Sequence, residues 1–319
     1  MANELVDSEC AELVGSENAK AEAVMLIGFG GPNSADEIRP FLDRVLKGRP
    51  VPRERYEDVV HHYELIGGRS PYNELTTRQA TALRERLKGD GHNVPVTVGL
   101  RNAAPFFEDA LRELMREGIR RVAGFVLAAY RCEASWERYL AEVEEARERI
   151  GKSAPEVIYP PSWHDDRRYI AAVAGRVHEA LERLGPDDRE RAELIFTAHS
   201  IPAPMAANAP YVAQLEESAG LVAEAVKIER WRLAYQSRSG SPRDPWLGPD
   251  IGEVIRGLAR PVVVMPIGFL CDHVEVLYDL DIEARAIANQ ARVTMERAGT
   301  VGDEPEFIAM MAAVAEAML

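Results

Sequence analysis

ELIFTAHSIP, residues 193–202, is the stretch that decides the fold. Its first half is apolar on both parities and rich in β-branched and aromatic side chains, the mark of a strand buried on both faces, and it runs straight into a histidine and a turn. Six other runs share that character: VMLIG from Val24, VPVTVGL from Val94, RVAGFVLAAY from Arg121, EVIYP from Glu156, WRLAYQS from Trp231 and PVVVMPIGF from Pro261. Amphipathic helical patterns separate them. SADEIRPFLDRVL opens on a capping box at Ser34 and Glu37, and NELTTRQATALRERL starts at Asn73 as its cap; others begin at Pro105, Asp166 and Tyr211. Strands alternating with helices build βαβ units and parallel sheets. At 319 residues the expectation is an α/β protein with two open, doubly wound sheets rather than one barrel.

The reading divides the chain into a flexible leader over residues 1–20, a first domain over 21–155 and a second over 156–302. A helix over 303–319, apolar along one face in EFIAMMAAVAEAML, must pack back on one of them. With 52 acidic against 38 basic residues the net charge is −14, which argues against nucleic acid or an anionic membrane surface as the main partner. No run approaches the roughly 18–20 apolar residues that span a bilayer, and the acidic N-terminus lacks the pattern of a secretory signal. Three scattered cysteines, Cys10, Cys132 and Cys271, suit neither a disulfide framework nor a zinc site. A cytoplasmic monomer is expected.

In open α/β sheets ligands bind beyond the carboxyl ends of the strands, so the loops there hold the candidate chemistry. Gly28-Phe29-Gly30-Gly31-Pro32 is either a tight turn or a phosphate cradle, and it matches no nucleotide fingerprint. HHYELIGGRSPYNELT, from His61, carries Arg69 and Ser70 in a turn that is structural or holds an anion. His199 stands at a strand's carboxyl end, where an imidazole titrates near neutrality and ligates metals. In CDHVEVLYDLDIE a helix from Asp272 would align Asp272, Glu275, Asp279 and Glu283 on one face, with no cation to relieve them before Arg285. Such a row is either a solvated acidic face or a path for a hard cation or for protons.

These blocks resemble ferrochelatases: GFGGP at Gly28, KGRPVP at Lys47, HYELIGGRSPYNELT, the segment from Leu100 to Ala110, TAHSIP, YQSRSGSPRDPWLGP and PIGFLCDHVEVLYDLDIE. The charged lip LKGRPVPRERYEDVV is closer to the bacterial branch that uses coproporphyrin III than to the branch that uses protoporphyrin IX. The resemblance implies two Rossmann-like, chelatase-type domains with the cleft between them, a C-terminal helix over 303–319 that returns to the first domain, and the reaction Fe²⁺ + porphyrin → haem + 2 H⁺. It implies His199 and Glu275 as the catalytic and metal-binding pair, with Asp272, His273, Asp279 and Glu283 as a supporting relay. Phe29, Arg49, Tyr63, Ser70, Arg101, Tyr130 and Tyr139 correspond to porphyrin-lining positions. Phe29 replaces a tyrosine that ligates haem iron in some relatives. No resident cofactor is expected; iron is a substrate, and the four-cysteine iron–sulfur cluster of some relatives has no counterpart in a chain without cysteine after Cys271.

Substrate carboxylates would need cations at the rim, for which Lys47, Arg49, Arg69 and Arg101 are the candidates. Two other readings compete: a chelatase for another tetrapyrrole, which would favour paired histidines over the DHVEVLYDLDIE block, and a haem or porphyrin carrier with a retired site, which retention of His199 and Glu275 disfavours.

Overall fold

The computed structural model describes residues 20–48, 50–239 and 244–319. The expected leader, apart from Lys20, and Arg49 lie outside the described residues. Two four-stranded parallel sheets form the frame. The first contains β1 (Ala23–Gly28), β2 (Val96–Leu100), β3 (Arg121–Val126) and β4 (Glu156–Ile158) in the order β2-β1-β3-β4. The second contains β5 (Glu193–His199), β6 (Trp231–Gln236), β7 (Val262–Met265) and β8 (Met295–Arg297) in the order β6-β5-β7-β8. The order is the same in both: the chain leaves the leading strand to one side, then crosses to the other. That reversal puts a ligand crevice at the carboxyl ends of β1 and β5. Every residue of β1 is buried, as are all of β5 except His199, which explains the unbroken apolar runs.

Helices α1 (Ala35–Leu46), α2 (Arg53–Leu65), α3 (Tyr72–Gly89), α4 (Phe107–Arg116) and α5 (Arg138–Ile150) belong to the first half. Then come α6 (Arg167–Arg183), α7 (Pro186–Arg191), α8 (Ala203–Ala207), α9 (Tyr211–Ala225), α10 (Ile251–Arg256), α11 (Val274–Leu277), α12 (Arg285–Ala291) and α13 (Pro305–Glu316). Two local expectations are corrected. Ser34 caps α1 without a side-chain bond, and Glu37 instead accepts from the Asn33 amide at 2.8 Å. Asn73 lies inside α3 rather than capping it. Its side chain accepts from the Gly31 amide at 2.9 Å and donates to the Gly31 carbonyl at 2.7 Å, pinning the glycine loop after β1.

The domain boundary also moves. β4, expected to open the second domain at residue 156, pairs in register with β3, Val122 beside Val157, and so completes the first sheet. The crossing lies in the residues after it, before α6. There Trp163 stacks on Phe125 of β3 at 5.3 Å and packs edge-on against Tyr169 of α6 at 5.3 Å. Phe307 of α13 meets both Trp163 and Tyr169 at 6.0 Å. The C-terminal helix therefore joins the halves, each fully buried aromatic contributing about 1.5–3 kcal/mol of apolar transfer. Among the described residues no helix is long and apolar enough to cross a membrane.

Candidate active site

His199 ends β5, level with Gln236 at the end of β6. Its Nδ1 donates to the Ser200 carbonyl, which leaves Nε2 facing outward, 3.5 Å from Glu275 Oε1. The two side chains are 28% and 36% exposed, open enough for a ligand to reach. Burial lowers the proton affinity of His199, but the Glu275 carboxylate and the Ser200 carbonyl outweigh it, and the net shift is upward. For Glu275, burial pushes up and the His199 charge pulls the carboxyl down below its ordinary value. The two shifts agree: each group favours the other's charged form.

The backbone around the pair is closely fitted. Tyr211 of α9 donates to the His199 carbonyl at 3.0 Å, and the Gln236 amide donates to the Glu275 carbonyl. Gly268 lies so close to β5 that a Cβ there would stand 2.7 Å from both Cα and Cβ of Ala198. Across the site, Gly30 takes a left-handed φ of 86° with its missing Cβ 2.9 Å from Ala103, a conformation and a spacing that both favour glycine.

The acidic row differs from the expected single-faced α-helix. α11 begins at Val274 with His273, not Asp272, as its cap: the Glu275 amide donates to His273 Nδ1 at 3.2 Å. A π-helical segment, Asp279–Ala284, follows and changes the helical phase before α12. Asp272 leaves the row. It is held by Arg297 of β8 at 3.2 Å and by the Thr300 hydroxyl at 3.0 Å, and the same guanidinium binds Asp281 at 2.7 Å. Arg297 thus neutralises Asp272 and Asp281 and leaves the other three carboxylates without it. Glu275, Asp279 and Glu283 remain electrostatically joined. Burial, then the Glu275 charge, pushes Asp279 up to about 7, against the donated bond of the Ser237 hydroxyl. Burial and Asp250 also raise Glu283. His273 is lowered, chiefly by burial, and is neutral near pH 7 with its proton on Nε2, because Nδ1 accepts a bond.

The other expected residues divide. Tyr63 and Tyr139 are buried close enough to Glu275 that its charge adds to the effect of burial in raising their phenols. The Arg101 guanidinium sits 5.8 Å over the Phe29 ring. Ser70 and Tyr130 are buried, with hydroxyls already partnered to the Tyr72 amide at 3.3 Å and the Tyr169 hydroxyl at 3.2 Å. Tyr130 meets Tyr211, which donates to the His199 carbonyl, edge-on at 6.4 Å. Lys47 and Arg101 share one carboxylate, Glu142, and Arg69 is exposed. Sequence reading missed Ser237, Gln236, Tyr211, Glu142 and Arg297. Ser237 follows β6 and Gln236 ends it, at the same strand end as His199; the rest carry no local signal.

Among the described residues no three His, Cys, Asp or Glu side chains converge as a metal cage. A two-residue pair with an acidic trail suits an ion that is passed on rather than kept.

Two like-ordered parallel sheets with a histidine–glutamate pair beyond one leading strand define a chelatase-type α/β protein. The model of the Ferrochelatase family matches residues 21–319, and the chain belongs to that family. It is 38% identical to the ferrochelatase of Rhodopirellula baltica over 95% of this chain and 88% of that one. It is 41% identical to the coproporphyrin III ferrochelatase of Streptomyces griseus over 91% and 84%, and 36% identical to that of Mycolicibacterium smegmatis over 93% and 90%. Among solved structures, the SirB of Bacillus subtilis with Fe³⁺ matches at TM-score 0.59 and 13% identity over 93% and 95% of the two chains, a likeness of fold alone. The chain is accordingly an enzyme of haem biosynthesis that inserts Fe²⁺ into a porphyrin.

Proposed function

We propose that the porphyrin is coproporphyrin III and that His199 and Glu275 form the inner pair of the reaction. The observation that carries the mechanism is the coupling of His199 Nε2 to Glu275 at 3.5 Å with Asp279 poised about neutrality behind them. Relatives named as coproporphyrin III ferrochelatases, 36–41% identical across nine-tenths of the chain, support the substrate.

Insertion requires two pyrrole protons to leave and the nitrogen lone pairs to turn toward the metal. A cleft that fits the bent macrocycle better than the flat one lowers that barrier. Nε2 of His199, anchored by its Nδ1 bond, accepts each of the two pyrrole protons in turn in its neutral form and gives each up toward Asp279 before taking the next. Asp279, whose acid and base forms are both populated near pH 7, takes charge onward toward Glu283. The same groups bind Fe²⁺ weakly enough to release it. A four-cysteine cluster has no part in this reading, since the chain has three cysteines. Lys47 meets a substrate carboxylate, part of the charge that a −14 protein must supply locally. The enzyme acts in the cytoplasm as a monomer.

Anaerobic Fe²⁺ insertion with coproporphyrin III and protoporphyrin IX in parallel tests this reading. A kcat/KM favouring coproporphyrin III at least tenfold, falling with ionic strength, is expected. Preference for protoporphyrin IX would overturn the substrate assignment, and binding of either porphyrin without turnover would leave a carrier.

A further inference from the structure

A cavity of about 530 Å³ opens beside the carboxyl end of β2, and its lining includes Arg44, Lys47, Arg101 and Glu142. Glu142, on α5, is nearly buried and bridges two of these cations. One carboxylate oxygen accepts from Lys47 Nζ at 2.6 Å and the other from Arg101 Nε at 3.0 Å. Arg44 donates to the Asn102 carbonyl at 2.8 Å and has no carboxylate partner among the described residues. The cavity is connected to the reaction site through packed groups. Arg101 lies over Phe29, the Phe29 amide donates to the Tyr72 hydroxyl at 3.0 Å, and the Tyr72 ring meets His273 edge-on at 6.2 Å.

The two halves of the Glu142 bridge differ in cost of exchange. The Arg101 and Glu142 side chains are 8% and 9% exposed, so parting them strands a charge out of water. Lys47 is 46% exposed, and water or another anion replaces Glu142 on it readily. An incoming carboxylate therefore takes Lys47 and leaves Glu142 on Arg101.

We propose that Glu142 is an affinity-setting residue, a resident carboxylate that competes with the carboxylates of substrate and product for Lys47. The product keeps every carboxylate of the substrate, so an unopposed lysine would hold both too long; the internal competitor weakens that hold while keeping Arg101 in place. This rests on the reading that a carboxylated porphyrin is the substrate, and on nothing about the metal pair.

The test uses Glu142→Gln, which keeps an acceptor for Arg101 and removes the charge facing Lys47. Porphyrin binding is followed by fluorescence, and KM and kcat by anaerobic metallation. The Kd and KM for coproporphyrin III are expected to fall about two- to fivefold, the effect of freeing one half-exposed cation, with no rise in kcat. Coproporphyrin tetramethyl ester should show no change. Lys47→Met, at a half-exposed position, should weaken coproporphyrin binding and abolish the effect of Glu142→Gln in the double variant. An unchanged or raised Kd in Glu142→Gln, an equal gain for the ester, or a gain that survives Lys47→Met would each overturn the proposal. If wild-type protein fails to metallate coproporphyrin III, the substrate reading fails instead, and the binding comparison still decides the role of Glu142.

Discussion

Asp279→Asn should make the protein more stable and less active at the same time. The Asp279 carboxyl, 3.8 in an ordinary aspartate, is pushed up to about 7 by burial and by the Glu275 charge. The fold thus binds this proton more tightly than the unfolded chain does. The associated stability is full below about pH 3.8 and is lost as pH rises through about 7. A shift from 3.8 to about 7 corresponds to roughly 4 kcal/mol at 1.36 kcal/mol per unit, and roughly 2–4 kcal/mol after allowing a unit of error. Asparagine mimics the protonated acid and still accepts from the Ser237 hydroxyl. Urea denaturation should find the variant about 2–4 kcal/mol more stable than wild type at pH 8, and by half as much or less at pH 5. Turnover should drop at least about tenfold, because the amide accepts no proton. A variant no more stable at pH 8 than at pH 5, relative to wild type, would refute the electrostatic reading of the row.

Other consequences follow from the packing around the pair. Arg297→Leu strands Asp272 and Asp281, both about a quarter exposed, and should cost about 2–4 kcal/mol by urea denaturation, with Arg297→Lys recovering part of it; a loss below about 0.5 kcal/mol would show the clasp to be idle. Gly268→Ala drives a Cβ to 2.7 Å from the Ala198 backbone, which a side-chain rotation cannot relieve, and should cost about 1–3 kcal/mol together with turnover, since His199 is the next residue. Wild-type activity and stability in that variant would mean that the strand end tolerates displacement.

The frame was legible because parallel strands buried on both faces leave unbroken apolar runs, and seven of the eight strands did so. β8 did not: three residues, Met-Glu-Arg, carry no pattern. α2 carries no helical pattern in the sequence, because only Val60 and Tyr63 of its thirteen residues are buried, too few to mark a face. β4 was assigned to the wrong half because its apolar run shows that it is a strand and not which sheet it joins. At the candidate site, His199 and Glu275 stand out from their loops and from family motifs, and the structure brings them together at 3.5 Å. The position of Asp272 was not legible, because its partner Arg297 lies 25 residues onward and spacing within one helix cannot reveal it. A π-helical segment draws on the same residue types as an α-helix, so the phase change at Asp279 left no local mark. Glu142 and Lys47 are separated by 95 residues and meet only in the folded chain.

The most direct measurement is anaerobic Fe²⁺ insertion into coproporphyrin III, followed by absorbance, for wild type, His199→Ala and Glu275→Gln, each shown by fluorescence to bind the porphyrin. Wild type should form the metallated product, and both variants should lose at least about a hundredfold in kcat while keeping their porphyrin affinity. Turnover near wild type in both variants would contradict the assignment of the reaction to this pair.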